Sequence, residues 1–475
     1  MNVTSAHADR GVNAVPQAAP PGARPDASPD ASPDASAAEH APTPLRKVVI
    51  GASIGTVIEY YDFGVYSALA VQLGRHFFPP ENPRMGVILA VSSTGLAFLV
   101  RPLGGVLFGV LSDTVGRKFT FMVTLVLMSL ATIAMGLVPT YAVVGMAAPI
   151  MILGLRVVQG LAVGGEYAAA STYVVEHAPD ARRGFYTGWL GAMTSASLML
   201  SLVAVWLTSR WFGQAAFDAD AWRIPFLFAA VMLVFALFVR AQLRESPIFL
   251  HLKQKMGTTR SPVRDLFGNR AAFGACMAVA LGVCAPQITA GLTGSMFTLY
   301  SLQTITGMNT GHATLVVAFG SLFGVFATVW FGALSDRLGR RPVQLAGMIG
   351  GAAMFFPVYV RLIEAGRADS WQLWLWACAM QLPGAMIVGP GFAAMTEAFP
   401  ATRRATSVAL AFSVGGIIGG FAPGASLMVA SLTGNPLGGI LWPMLILAVG
   451  ALIYWRWVPD QSGRKMWDEV LNGEM

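Results

Sequence analysis

The chain has 475 residues, 55% of them apolar and only 12% charged. That balance is too apolar for a water-soluble protein of this length and points to a polytopic membrane protein. The formal net charge of +7 is not a nucleic-acid signal, because the basic residues gather on one side of the spans predicted below.

Residues 1–44 are rich in Pro, Ala and Asp and repeat Pro-Asp-Ala-Ser at 25–28, 29–32 and 33–36. They hold no apolar core for a signal peptide, so a disordered cytoplasmic tail is expected. Apolar runs of about 20 residues then recur, each long enough to cross ~30 Å of hydrocarbon as a helix. Twelve are read: 47–73, 86–111, 119–138, 147–174, 184–208, 222–243, 270–300, 313–334, 343–362, 371–395, 405–430 and 437–458. Backbone groups in lipid need internal partners, so an all-α structure is expected. Arg46, Lys47, Arg117, Lys118, Arg182, Arg183, the 240–270 loop, Arg340, Arg341, Arg403, Arg404 and Arg464 fall on one side of these spans. Arg75, Arg84, Arg210, Arg223, Arg361 and Arg367 fall on the other. This asymmetry puts both termini, the 244–269 loop and the 459–475 tail in the cytoplasm, with the protein in the cytoplasmic (inner) membrane. Cys276, Cys284 and Cys378 lie inside predicted spans and read as small buried apolar residues, with no metal spacing.

Two motifs recur at nearly one offset. Gly109-Val-Leu-Ser-Asp113-Thr-Val-Gly116-Arg117-Lys118 returns as Gly332-Ala-Leu-Ser-Asp336-Arg337-Leu-Gly339-Arg340-Arg341, a shift of 336 − 113 = 223 residues. Glu176-His-Ala-Pro179 with Arg182-Arg183 returns as Glu397-Ala-Phe-Pro400 with Arg403-Arg404, a shift of 397 − 176 = 221 residues. Duplicated apolar halves are a transporter signature. Gly109 and Gly332 allow close helix approach, while Gly116 and Gly339 suit a left-handed helix end. Asp113 and Asp336 can meet the N-terminus of a neighbouring helix, a contact that can gate one side. Plain topology signalling by the basic pairs is the blander reading.

An ionisable group in the hydrocarbon zone costs at least ~2.5–3.5 kcal/mol, so it is a functional candidate by default. Five occur, all in the first half: Glu59, Asp62, Arg101, Arg156 and Glu166. The corresponding later spans offer neutral polar groups such as Gln287, Thr289, Thr293, Gln303, Ser321, Gln381 and Ser413. Glu59, Asp62 and Tyr66 share a helix face, and two close carboxylates disfavour joint ionisation, which suits proton uptake and release. The alternative is that each pairs permanently with an arginine. Arg156, Gln159, Val163 and Glu166 form one stripe across the midplane, where a guanidinium can grip a carboxylate with two prongs. A bridging, structural arginine is the competing reading. Arg101-Pro102 sits at an expected kink; Arg101 is either a partner for Glu59, Asp62 or Glu166 or a substrate contact.

At these residues the chain resembles the major facilitator superfamily over about 46–458. Arg156-Val-Val-Gln159-Gly160 is similar to the fourth-helix motif of its proton-coupled members. Ile58-Glu59-Tyr-Tyr-Asp62-Phe63, Arg101-Pro102-Leu-Gly104-Gly105 and Gly164-Gly165-Glu166 resemble the metabolite:proton symporter family. That family carries 2-oxoglutarate, citrate, dicarboxylates, shikimate, and proline or betaine. The resemblance implies twelve transmembrane helices in two pseudo-symmetric six-helix bundles, here 45–243 and 270–458, around a central cavity that works by alternating access. Two departures stand out. Thr114 replaces the Arg usual in the first loop, and the eleventh span carries Ala411-Phe412-Ser413-Val414 where aromatic and Asn residues are common in the family.

The expectation is a proton-coupled symporter for a small organic acid, acting without other cofactors, as a monomer in the lipid bilayer, with Glu59, Asp62 and Glu166 as proton carriers. Arg156, Gln159, Tyr66, Arg101, Gln287 and Gln381 are the substrate-binding candidates. A zwitterion of the proline or betaine type is the runner-up, because osmosensing carriers of the family have long coiled-coil tails and 459–475 shows no heptads. Drug efflux by antiport ranks lower, since the fifth span reads Gly188-Trp-Leu-Gly-Ala-Met-Thr-Ser-Ala-Ser without the proline such antiporters carry. An enzyme is not expected, because no loop is long enough to build a catalytic site beyond the helices.

Overall fold

The computed structural model describes residues 56–57, 60–79, 81–114, 117–164, 171–172, 174–175, 178–241, 268–400 and 404–460. The side chains at 106, 109–110, 112–114, 117–121, 236, 239–241 and 405 are not among them. The described part is helical throughout, as sustained apolar runs in lipid require. The first span is helical over 60–68 and continues as α1, Ala70–Phe77. It is followed by α2 (Pro83–Thr114), α3 (Arg117–Leu137), α4 (Ala147–Val163), α5 (Arg183–Phe212) and α6 (Ile224–Ala241). The later half comprises α7 (Arg270–Thr304), α8 (Thr310–Leu338), α9 (Arg340–Arg367), α10 (Gln372–Glu397), α11 (Arg404–Thr433) and α12 (Leu441–Trp457). Eight described helices are long and apolar enough to cross a membrane, and three shorter apolar ones cover 122–137, 147–163 and 221–235. With the first span these account for the twelve expected, so the chain is a multi-pass membrane protein. Of the two tails and the inter-bundle loop expected at 1–44, 244–269 and 459–475, all but residues 268–269 and 459–460 lie outside the described residues.

Exposed apolar side chains mark the lipid face. On α8, Phe319, Leu322, Phe323, Phe326 and Trp330 form one such stripe at spacings of three and four. Exposed tryptophans sit near helix ends, Trp211 and Trp371 at one end of the bundle and Trp455 and Trp457 at the other. This is the aromatic belt expected at the two membrane interfaces.

Close helix contacts, in contrast, rest on small residues, because lipid supplies no hydrophobic drive between helices and packing must do so. Helices α5 and α8 pack along their length. A Cβ added to Gly332 would lie 2.5 Å from the Gly184 carbonyl oxygen, so the close approach expected of Gly332 is observed. Helices α2 and α11 pack where Gly416 and Gly420 sit on the Phe98 ring. Gly339 joins α8 to α9 at φ 94° and ψ 158°, an extended positive-φ conformation that only glycine adopts readily, in place of the left-handed helix end expected of it.

Helix α7 departs from regular geometry twice. Its turns at Ala280–Cys284 and Thr293–Phe297 are π-helical, and Thr298 Oγ1 donates to the Thr293 carbonyl five residues back. Each such turn inserts a residue and rotates the helix beyond it, and it recurs at functional positions. The stretch between them, Ala285–Leu292, carries Gln287.

Candidate functional site

The buried charges of the first half converge on one place. Arg156 of α4 is 1% exposed, and its guanidinium carbon stands 3.2 Å from the centre of the Tyr66 ring. Its Nη1 donates to Gln159 Oε1 at 2.9 Å, and Gln159 Nε2 donates onward to Thr132 Oγ1 at 2.6 Å. The i, i+3 spacing of Arg156 and Gln159 thus yields the shared face expected of it. Among the described residues, Arg156 Nε and Nη2 find no hydrogen-bond partner. Tyr66 is held from below, sharing a 2.6 Å hydrogen bond with Ser93 Oγ.

Asp62 is 1% exposed and lies beside Thr132 and Arg156. Among the described residues, neither of its carboxylate oxygens has a hydrogen-bond partner within bonding geometry, and no ion pair within 4 Å joins it to an arginine. The permanent Asp62–arginine pair therefore does not form in this state. Arg101 is not the partner of Asp62 either. Its guanidinium lies 3.9 Å above the Phe98 ring, a cation–π contact, and its Nε is unpartnered among the described residues. Glu59 and Glu166 lie outside the described residues.

Two adjoining cavities follow from this arrangement. Arg101, Arg156, Gln159, Tyr60 and Phe63 border a small one of about 10 Å³, room for about one water. Tyr60 and Phe63 also border a larger one of about 90 Å³, whose far wall is Gln287 of α7, Ser321 of α8 and Gln381 of α10. The first half thus supplies charge, and the second half supplies neutral amides and hydroxyls. Tyr66 borders neither cavity and acts through Arg156. Gln381 donates to Ser321 Oγ at 3.2 Å. Tyr300 of α7 stands beside Ser67, Tyr66 and Arg156 from the other half. Thr132, Tyr60, Phe63 and Tyr300 are absent from the sequence-derived candidates; each is an ordinary hydroxyl or aromatic until helix rotation brings it here.

The second copy of the loop motif forms a compact cross-contact. Asp336 Oδ1 and Oδ2 accept from the Gly184 and Phe185 backbone N–H groups at 2.8 Å each, at the first turn of α5. Arg340 Nη1 donates to Asp336 at 2.6 Å, and Arg340 also grips Glu397 through Nη2 at 3.2 Å and Nε at 3.3 Å. Arg183 reaches Glu397 at 4.0 Å and bonds Asp180. The two repeated motifs therefore meet, Asp336 and Arg340 from one and Glu397 from the other. Arg337 is exposed, and Arg341 Nη2 bonds the Trp455 carbonyl. Gly116, the surroundings of Gly109 and the side chains of Asp113, Arg117 and Lys118 lie outside the described residues. At the opposite end, Gln72 Nε2 donates to Asp218 Oδ1 at 2.9 Å and to Thr310 Oγ1 at 3.1 Å, tying the first span to α8.

Asp336→Asn should slow turnover while equilibrium substrate binding stays close to wild type. If the carboxylate caps α5 in this conformational state and not in the opposite-facing one, its loss shifts the balance of states by ~1 kcal/mol, the scale of one charged helix-end contact. Binding measured by calorimetry beside transport rate separates the two; lost binding at a normal maximum rate would place Asp336 in the substrate path. Adding Asp113→Asn should be additive if the two loops act as separate latches and less than additive if they share one network.

Residues 48–272 match the family described as sugar (and other) transporter, and residues 279–468 match the Major Facilitator Superfamily. The proline/betaine transporter of Salmonella typhimurium is 31% identical over 418 residues, covering 86% of this chain and 82% of that protein. The glycine betaine/proline/ectoine/pipecolic acid transporter OusA of Dickeya dadantii is 32% identical over 418 residues with the same coverage. In fold, the chain is similar to a D-xylose–proton symporter, with a TM-score of 0.69 at 19% identity over 89% of this chain and 100% of that one. The structure of the proton:xylose symporter XylE bound to 6-bromo-6-deoxy-D-glucose gives the same TM-score at 18% identity, over 90% and 98%. The chain belongs to the major facilitator superfamily, in the family of its proline/betaine transporter relatives.

Proposed function

We propose that this protein is a proton-coupled symporter for a small zwitterion bearing one carboxylate. The observation that carries the reading is a pair of neighbouring buried groups left incomplete among the described residues: Arg156 with two unpartnered nitrogens and Asp62 with two unpartnered oxygens. Uncompensated buried charge is costly, and each of these groups is satisfied by one of the transported species. A substrate carboxylate completes the fork of Arg156, and a proton neutralises Asp62. When Asp62 is ionised, it competes for Arg156; when it is protonated, the guanidinium is free for substrate. Proton and substrate thus favour each other's binding, which is the linkage a symporter needs.

Proline, betaine, ectoine and pipecolic acid, named for the relatives, each carry a carboxylate together with a cationic nitrogen centre. They support the carboxylate-gripping role of Arg156 and favour a zwitterion over a di- or tricarboxylate. The Asp336 and Gln72 contacts supply candidate latches at the two ends of the path, and the charge asymmetry supports a cytoplasmic Asp336 end and cytoplasmic termini. Two bundles, 45–243 and 270–458, would rock about the cavity as a monomer.

Uptake of labelled proline or betaine should rise as external pH falls and collapse on adding an uncoupler. A sodium requirement without pH dependence would remove the symport reading. Efflux driven by inward proton flow would point instead to antiport.

A further inference from the structure

Among the described residues, Gln287 is the one cavity-wall amide with nothing to bond. Gln381 is committed to Ser321, whereas Gln287, 3% exposed, has an unpartnered Oε1 and no hydrogen bond to any described residue. A buried amide left unbonded is destabilising, so its retention needs a reason. The surrounding backbone is arranged to seat it. Two π-turns of α7 bracket its segment. Across from it, α10 has no Cβ at Gly391, where one would lie 2.2 Å from Gln287 Oε1.

The position of this amide says what it meets. Tyr60 and Phe63 separate it from the arginine side and border both cavities, so a substrate held at Arg156 by its carboxylate extends its other end past these rings toward Gln287. Because neither end of the amide is tied, a half-turn of its terminal torsion presents the carbonyl oxygen to the cavity. A protonated primary or secondary amine offers N–H donors to that oxygen. A trimethylated nitrogen offers none, and it gains instead from the aromatic faces of Tyr60, Phe63 and Phe412 that border the same cavity. We propose that Gln287 is a specificity-determining residue that favours zwitterions with N–H groups over fully N-methylated ones. This rests on the zwitterion reading above.

The test is the ratio of KM values for proline and glycine betaine in cells expressing the full chain. Gln287→Met keeps length and volume and removes both hydrogen-bonding ends. It should raise the ratio of proline KM to betaine KM roughly tenfold, the loss expected for a hydrogen bond to a charged donor. Gly391→Ala keeps the amide but displaces it from its seat and should shift the ratio in the same direction, which keeps the test alive if the methionine variant fails to insert. The ratio is independent of how much folded carrier is present, so a merely structural role would not move it. A ratio unchanged in both variants, with both substrates carried, overturns the role of Gln287 alone. A wild type that carries neither substrate overturns the zwitterion reading, and this assignment with it.

Discussion

Asp62→Asn should abolish uphill accumulation while sparing exchange of substrate across the membrane. Asparagine has nearly the size of the protonated acid and cannot release a proton, so the carrier is fixed in its loaded form. Arg156 then meets no competing carboxylate from Asp62 and remains free for substrate at every pH. Net uptake driven by an imposed pH gradient in vesicles should fall to the background level. Counterflow of labelled against unlabelled substrate should persist, and its pH dependence should flatten. The substitution should also raise the melting temperature, because the wild-type carboxylate is buried with neither oxygen bonded and a neutral amide is less costly there. Accumulation that survives with its pH dependence intact would move the proton to Glu59 or Glu166.

How far the sequence anticipates this site depends on whether the signal lies along one helix or between helices. The spans were legible because apolar runs of membrane length, in a chain this poor in charge, rarely arise except to cross lipid. Arg156 and Gln159 were legible because a spacing of three fixes a shared face whatever the surroundings. The role of Asp336 at a helix N-terminus followed from its charge and its place after a span, although the identity of that helix, α5, did not. What failed was pairing between helices. Arg101 was expected to find Glu59, Asp62 or Glu166; Asp62 is not its partner, the other two lie outside the described residues, and the guanidinium rests on Phe98, one turn away on its own helix. Thr132 and Tyr300 carry no mark in one sequence, since only the rotation of α3 and α7 decides that they face Arg156. The first π-turn of α7 has a mark in Pro286 just beyond it, whose missing N–H and clash with the Gly282 carbonyl break the regular ladder. The second, Thr293–Phe297, has no proline beside it and packs against α10 and α11.

Arg156→Lys should impair transport nearly as severely as Arg156→Ala. The nitrogens of the guanidinium have separate roles. Nη1 is fixed on Gln159, the plane lies over Tyr66 at 3.2 Å, and Nε with Nη2 is left for a ligand. Those two nitrogens lie on one edge of the fork, which matches the two oxygens of a carboxylate. Lysine keeps the positive charge but concentrates it on one nitrogen at the end of a flexible stem. It cannot bond Gln159 and hold both substrate oxygens in plane, and it stacks on Tyr66 less well. Losing one charge-assisted hydrogen bond typically removes ~1.5–3 kcal/mol, so apparent affinity should fall by about ten- to a hundredfold. Alanine removes the charge as well, so Asp62 loses the cation for which it competes with substrate, and the link between proton and substrate goes with it. The two variants should therefore differ in pH profile more than in affinity: the lysine variant keeps pH-dependent residual uptake, and the alanine variant loses it. Binding measured by calorimetry on protein of verified melting temperature distinguishes a lost ligand contact from a lost fold. Near-normal affinity in Arg156→Lys would reassign the residue to bridging α4 and the first span, with the substrate carboxylate held elsewhere in the cavity.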